Sequence, residues 1–215
     1  MRSHVPDLSF QVEGAEVVRH AASPLLGFKL RIANADAEET IQTIALRCQI
    51  QIETTKRRYS AEEQASLLDL FGEPERWGDT LRAMLWTHAS VIVTPFKADA
   101  LVELPVPCTF DFNVAATKYF AGLEGGEVPL NLMFSGTVFY EAADGALQVE
   151  QIPWDREAHY RLPVRVWGEM MDAYYPNGAW LRLRRDVFDR LHSYKMRRGI
   201  PTWEQTIESL VTSDE

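Results

Sequence analysis

Residues 44–52 read IALRCQIQI, and this stretch decides the fold. Every second position is apolar, and the positions between them carry alanine, arginine or glutamine. A side-chain period of two belongs to a β-strand, and strict alternation is typical of an antiparallel sheet with one buried face and one exposed face. We therefore predict a strand with five inward positions, which are Ile44, Leu46, Cys48, Ile50 and Ile52.

The same pattern extends outward from this strand in both directions. Residues 8–12 and 26–32 repeat the period of two, and shorter strands are predicted at 90–95 and 100–105. Asp144-Gly145 lies between two apolar stretches and is the strongest hairpin signal in the chain. These patterns predict a core of antiparallel strands.

Helical signals interrupt the strands after residue 59. Ser60-x-x-Glu63 matches a capping box, in which the two residues satisfy backbone groups of the first helical turn. Pro74 can open a second helix with Trp77, Leu81 and Leu85 on one face. We interpret this segment as a helical insertion between strands.

The last third of the chain has helical spacing. Helices are predicted over 163–175 and 184–198, the second ending at Gly199, and a third begins at Thr202-x-x-Gln205. The helix over 184–198 is expected to bury an apolar stripe, which consists of Val187, Phe188, Leu191 and Tyr194.

Together these patterns predict the α+β class and one domain over residues 1–215. Its antiparallel β-sandwich-like core comprises 1–59 and 88–152, its helical insertion 60–87, and its C-terminal helices 163–211.

The charge disfavours some classes of partner. The formal net charge is −9, which disfavours nonspecific binding to nucleic acid or anionic membranes. Residues 99–158 carry ten acidic and two basic side chains, whereas residues 182–198 carry seven basic and two acidic. This separation favours contacts with another protein or with a second copy. Apolar runs are short and no signal segment is evident, so we expect a soluble, cytoplasmic protein.

Motifs for common chemistries are missing from the sequence. It contains no phosphate-binding loop, no dinucleotide-binding glycine pattern and no H-E-x-x-H. The two cysteines are sixty positions apart, and no two of the five histidines have the spacing of metal ligands on one helix. We therefore expect no cofactor, no metal site and no catalytic residue of a familiar kind.

Aromatic and basic residues in turns are the candidate partner contacts. Tyrosine, tryptophan and arginine dominate the energetics of protein interfaces. Trp180 follows a Tyr-Pro-Asn-Gly turn, and three arginines beside it are not explained by the helix dipole. The candidate contact residues are Tyr175, Trp180, Arg182, Arg184, Arg185 and Trp154, the last as the anchor of a surface turn.

Two other functions stay open at this point. A hydrolase or metal-dependent enzyme could assemble an unfamiliar site from Cys108, Asp111, Asp155 and His159. A homo-oligomeric, chaperone-like sheet protein could expose an apolar groove. The leading hypothesis is a non-catalytic protein-binding or assembly factor.

Four strings resemble a bacterial family of unknown function associated with nickel–iron hydrogenase gene neighbourhoods. They are LPVPCTFDF at 104–112, GEVPL at 126–130, FSGTVFY at 134–140 and PTWE at 201–204. The resemblance covers nearly the whole chain and carries no catalytic assignment. It implies an accessory role, in which the partner is a hydrogenase or its maturation machinery.

Overall fold

The computed structural model describes residues 6–109, 114–142, 144–178 and 183–212. The chain divides into two compact units, Met1–Gly178 and Ala179–Glu215. The first unit contains the strands and the second a pair of helices.

The described residues form eight strands in two antiparallel sheets. They are β1 (Leu8–Val17), β2 (Leu25–Asn34), β3 (Ile41–Ile52), β4 (Met84–Val93), β5 (Asp99–Pro107), β6 (Glu127–Glu141), β7 (Leu147–Gln151) and β8 (Glu157–Pro163). The first sheet has the order β1-β2-β5, and the second has the order β4-β3-β6-β7, with β8 also paired to β6.

The two sheets bury their inner faces against each other. Phe10 of β1 stacks on Phe134 of β6 with ring centroids 4.3 Å apart. Phe28 of β2 meets Trp86 of β4 and Tyr160 of β8 edge-on, at 6.2 and 5.8 Å. The predicted α+β class and sheet-rich core are confirmed.

Strand β3 has the inward face that its alternation predicts. All five predicted inward side chains are at most 1% exposed, whereas Arg47 on the other face is exposed. β3 pairs with β4 along one edge and with β6 along the other, so it lies inside the second sheet.

Strand β6 organises the second sheet. One of its edges pairs with β3 from Tyr140 to Leu130, and its other edge is shared by β7 and β8. At Gly136, where φ is 144°, an added Cβ would lie 2.1 Å from the carbonyl oxygen of Ala45 on β3. The close pairing of the two strands therefore requires glycine at this position.

The described residues of the first unit form five α-helices. They are α1 (Ala61–Ser66), α2 (Leu68–Phe71), α3 (Trp77–Thr80), α4 (Val114–Ala121) and α5 (Val164–Tyr174). The capping box at the start of α1 is confirmed, because the Ser60 hydroxyl accepts from the Glu63 backbone N–H and the Glu63 carboxylate accepts from that of Ser60.

The helix predicted from Pro74 to Leu85 is wrong beyond Thr80. β4 begins at Met84, which pairs with Ile52 of β3, and the side chain of Trp86 is 3% exposed. Pairing with the buried strand β3 has overridden the helical spacing. This pairing gives the backbone N–H and C=O groups hydrogen-bond partners and also buries the large ring of Trp86. Strand β8, which the sequence pattern does not predict, likewise pairs with β6, and it buries Ala158 and Leu162.

A buried ion pair connects the helical insertion to β6. The Arg57 guanidinium pairs with the Glu63 carboxylate, and their side chains are 9% and 6% exposed. Arg57 also donates to the carbonyl oxygens of Glu127 at 2.8 Å and Gly125 at 2.7 Å. Glu63 accepts in addition from the backbone N–H of Glu124 at 3.1 Å. This network fixes α1 against the start of β6.

The second unit is a helical hairpin of α6 (Arg185–Arg198) and α7 (Trp203–Val211). Gly199 ends α6 in the left-handed conformation, and the Ile200 N–H donates to the Lys195 carbonyl oxygen at 3.1 Å. The Thr202 hydroxyl accepts from the Gln205 N–H at the start of α7. The predicted end of α6 and the predicted start of α7 are therefore confirmed. In the part of the chain that the structure describes, no helix is long and apolar enough to cross a membrane.

Glu63→Ala is expected to destabilise the first unit by about 3–5 kcal/mol, because it leaves the Arg57 guanidinium buried without its counter-charge. Urea unfolding measures the change. The control is Lys118→Ala, which breaks the ion pair of Lys118 with Asp69, whose side chains are 47% and 57% exposed. It should cost less than about 1 kcal/mol. Equal effects of the two variants would contradict the buried-network interpretation.

Gly136→Ala is expected to cost at least about 2 kcal/mol, because the new methyl group overlaps the Ala45 carbonyl and the backbone conformation is strained. Gly168→Ala in α5 is the matched control, since a Cβ there meets open space. It should stabilise the chain by about 0.5–1 kcal/mol through helix propensity. Thermal unfolding of both variants tests the contrast, and a Gly136 variant as stable as the parent would refute it.

Candidate functional site

The predicted contact residues fall into two separate units. Trp154 and Tyr175 belong to the first unit, and Arg184 and Arg185 to the second. Trp180 and Arg182 lie outside the described residues. The described candidates therefore point to two separate surfaces, one on the second sheet and one on the helical hairpin.

Trp154 lies in the turn between β7 and β8, and it is 92% exposed. The turn is held by a bond from the Arg156 N–H to the Pro153 carbonyl oxygen. Two bonds with β6 flank it: the Ile152 N–H donates to the Gly136 carbonyl oxygen, and the Arg156 carbonyl oxygen accepts from the Phe134 N–H. The prediction that Trp154 anchors this turn was wrong. The buried side chain of the turn is Ile152, so the indole ring is left outside.

The strand before this turn also exposes apolar side chains. Leu147 is 61% exposed and Val149 is 52% exposed, and both project from the same face of β7 because they are two residues apart. Within the described residues β7 pairs with β6 alone, so its other backbone edge is open. We call Leu147, Val149 and Trp154 the β7 edge.

The β7 edge has an acidic surrounding. Residues 141–157 contain five acidic side chains and one basic one, Arg156. Arg156 is already engaged by Asp7, with Nη2 2.8 Å from the carboxylate oxygen. The apolar side chains of this edge are thus placed within a negative field.

Sequence reasoning could not have found Leu147 and Val149. Their alternation with Gln148 and Glu150 is that of an ordinary half-buried strand, which would place the two apolar side chains inward. The structure shows them outward. Only the pairing register, which sets Val149 opposite Phe139 on β6, reveals the exposed face.

Tyr175 follows the last residue of α5 and is half-buried. Its N–H donates to the Met171 carbonyl oxygen at 2.7 Å, and its carbonyl oxygen accepts from the Gly178 N–H at 3.0 Å. These bonds close the turn after α5, in which Asn177 has a φ of 57°. The geometry accounts for Tyr175 as a helix-ending residue.

The four residues of the alternative enzyme site have contrasting environments. Cys108 is 5% exposed within the core, and its thiol donates to the Val106 carbonyl oxygen at 3.2 Å. Asp155 and His159 are exposed, and Asp111 lies outside the described residues. The structure therefore does not bring Cys108 to the surface where His159 lies.

His159 instead lies between two carboxylates. Its Nδ1 is 3.7 Å from Glu53 and its Nε2 is 3.7 Å from Glu157. Sequence reasoning missed Glu53, because only the pairing of strands in the sheet brings it near His159. The two carboxylates approach opposite nitrogens of the ring, so they do not converge on one ion. In the ranges that the structure describes, no three His, Cys, Asp or Glu side chains are grouped as metal ligands.

The hairpin carries a groove of about 420 Å³ between its helices. It is lined by Leu183, Arg185, Phe188, Leu191, Trp203 and Ile207. The Phe188 and Trp203 rings are 5.3 Å apart, and the Lys195 ammonium group is 5.6 Å from the centre of the Trp203 ring. Arg184 and Arg185 are exposed, and they pair with Asp186 at 3.1 Å and Asp189 at 3.6 Å.

The predicted burial of the α6 stripe is wrong. Phe188 is 42% exposed, and no residue of α6 is fully buried. A two-helix unit has too little interior to cover a complete stripe. Phe188 and Leu191 of the predicted stripe line the groove instead.

Both cysteines are buried free thiols, and burial raises the pKa of each to about 12. At pH 8 about one thiol in 10,000 is then ionised, and the thiolate is the reactive form. We expect Cys48 and Cys108 to resist a disulfide-exchange reagent in the folded protein and to react fully in urea. Spectrophotometric thiol counting measures both states, and rapid reaction of Cys108 in the native protein would contradict its place in the core.

Comparison with the curated proteins gives no significant match. Comparison with protein-family models matches residues 5–215, which include both units and both surfaces. The chain therefore belongs to DUF6084, a family of unknown function.

Proposed function

We propose that this chain is a non-catalytic accessory or assembly factor that binds a protein partner through the β7 edge. The observation that carries the proposal is Trp154, which is 92% exposed in the turn after β7, a strand that exposes two further apolar side chains. A tryptophan so placed exposes a large apolar surface that a partner can cover.

An open strand edge indicates how the partner binds. Among the described residues no second strand lies along the outer edge of β7, so this edge can accept an added strand, in which main-chain hydrogen bonds supply affinity and alternate side chains supply specificity. Leu147 and Val149 project from one face of β7 and would contact alternate residues of the added strand. Trp154, in the turn after β7, would cover its end.

The charge around the β7 edge indicates the chemistry of the partner. Residues 141–157 are acidic, and their single basic side chain is paired with Asp7. A partner segment with lysine or arginine beside its apolar residues would be attracted and correctly placed. We therefore propose an extended, basic and apolar segment of another protein as the occupant.

No specific observation favours the alternative of an enzyme. The Cys108 thiol is buried and its pKa is raised to about 12, so it is a poor nucleophile at neutral pH. His159 and Asp155 lie at the surface. The two carboxylates beside His159 have ordinary structural partners, because Glu53 pairs with Lys56 at 2.5 Å and Glu157 accepts from the Asn131 side-chain amide at 3.1 Å.

For the partner itself we propose a nickel–iron hydrogenase or its maturation machinery, in the cytoplasm. Support for this identity comes from the resemblance carried by residues 104–112, 126–130, 134–140 and 201–204. The matched family has no described function, so the partner's identity is tested separately from binding through the β7 edge.

Trp154→Ala is expected to weaken binding of the partner by about 30-fold or more, the effect of removing an interface hot spot of about 2 kcal/mol. The tagged chain is purified from its native host, the proteins it retains are quantified, and the Kd of the purified partner is measured by calorimetry. Raising the salt concentration should also weaken binding, because the contact joins opposite charges.

Leu101→Ala is the control variant, since Leu101 is 53% exposed on β5 of the other sheet. It should leave the Kd unchanged. The proposal would be refuted if the partner bound Trp154→Ala and the parent chain with the same Kd. It would also be refuted if no stoichiometric partner were recovered. A partner unrelated to hydrogenase would refute only the proposed identity.

A further inference from the structure

The helical hairpin lacks a core of its own. A domain of fewer than about 40 residues normally needs a disulfide, a metal or oligomerisation to be stable. The unit Ala179–Glu215 is below this size. Both cysteines lie in the other unit, so no disulfide can close the hairpin. Of the residues in α6 and α7, Thr206 alone is fully buried.

The hairpin instead exposes much of its apolar surface. Phe188, Ile207 and Leu210 are 41–42% exposed, and Val211 is 64% exposed. Phe188 and Ile207 also line the groove between the two helices. These side chains form a continuous apolar stripe, because Ile207, Leu210 and Val211 are three and four residues apart on α7.

The two helices carry opposite charges. α6 contains five basic and two acidic residues, whereas α7 contains Glu204 and Glu208 and no basic residue. Two hairpins related by a two-fold axis can place α6 of each copy against α7 of the other. Each contact then joins a basic helix to an acidic one, so the hairpin is complementary to itself.

We propose that the hairpin is a dimerisation element that pairs with the hairpin of a second copy to form a four-helix bundle. The groove would receive apolar side chains of the second copy, and the exposed parts of Phe188, Ile207, Leu210 and Val211 would become the bundle interior. Such a bundle buries the stripe that a single hairpin leaves in water.

Light scattering and sedimentation of the full chain test the proposal. We expect twice the mass of one chain for the parent protein. Phe188→Glu and Ile207→Glu should weaken the dimer by about 30-fold or more, because each places a carboxylate in the bundle interior. Ser193→Glu, on the opposite face of α6, is the control and should remain a dimer. Circular dichroism verifies that every variant retains its helices.

A charge exchange tests the pairing of α6 with α7. One variant carries Glu204→Lys and Glu208→Lys, and the other carries Arg185→Glu and Lys195→Glu. Each alone brings like charges together and should be monomeric. Their mixture should form a heterodimer, because both contacts are then between opposite charges.

Several outcomes would overturn this inference. The first two are a monomeric parent protein and a dimer that survives Phe188→Glu and Ile207→Glu. The others are cross-links from the hairpin to the first unit of the same chain, and a charge-exchanged mixture that stays monomeric. Trp154→Ala should leave the dimer intact. Failure of dimerisation is therefore distinguishable from failure of binding through the β7 edge.

Discussion

The pairing of β3 with β6 is the constraint on which the first unit depends. It runs from Ile41 to Ile52, and it brings the backbone of Gly136 so close to Ala45 that no side chain fits between them. The inward residues of both strands then face the first sheet, where Phe10 stacks on Phe134. The helical insertion is attached to the same strand, because Arg57 binds carbonyl oxygens at and just before the start of β6.

The other edge of β6 is not covered by one long strand. It is divided between β7 and β8, and the turn that joins them presents Trp154 to solvent. An apolar edge strand is a hazard in an isolated protein, because it can pair with any other exposed strand. The acidic residues around the β7 edge oppose pairing between identical copies. The proposed basic partner would pair with the open backbone edge and neutralise the acidic charge around it.

A dimer formed through the hairpins would carry two such edges, which increases avidity for a repeated or dimeric partner.

Local signals predicted the elements whose stability is local. The alternation of β3, the capping box of Ser60 and Glu63, and the end of α6 at Gly199 are all present as predicted. The errors occur where distant strands compete with local preference. Residues after Thr80 leave the helical path to pair with β3, and β8 forms along β6. The candidate site was predictable only in part: Trp154 was identified from its residue type, but Leu147, Val149 and Glu53 became visible only through strand pairing.

The sequence by itself determined the α+β class, the inward face of β3, the ends of the main helices and the separation of charge along the chain. These depend on side-chain periodicity and on bonds between residues a few positions apart. Tertiary structure alone decided that Leu147 and Val149 of β7 are exposed and that the apolar stripe of α6 is not fully buried. The physical reason is that burial depends on what packs against a side chain. The spacing of residues shows that an apolar face exists but cannot show whether anything covers it.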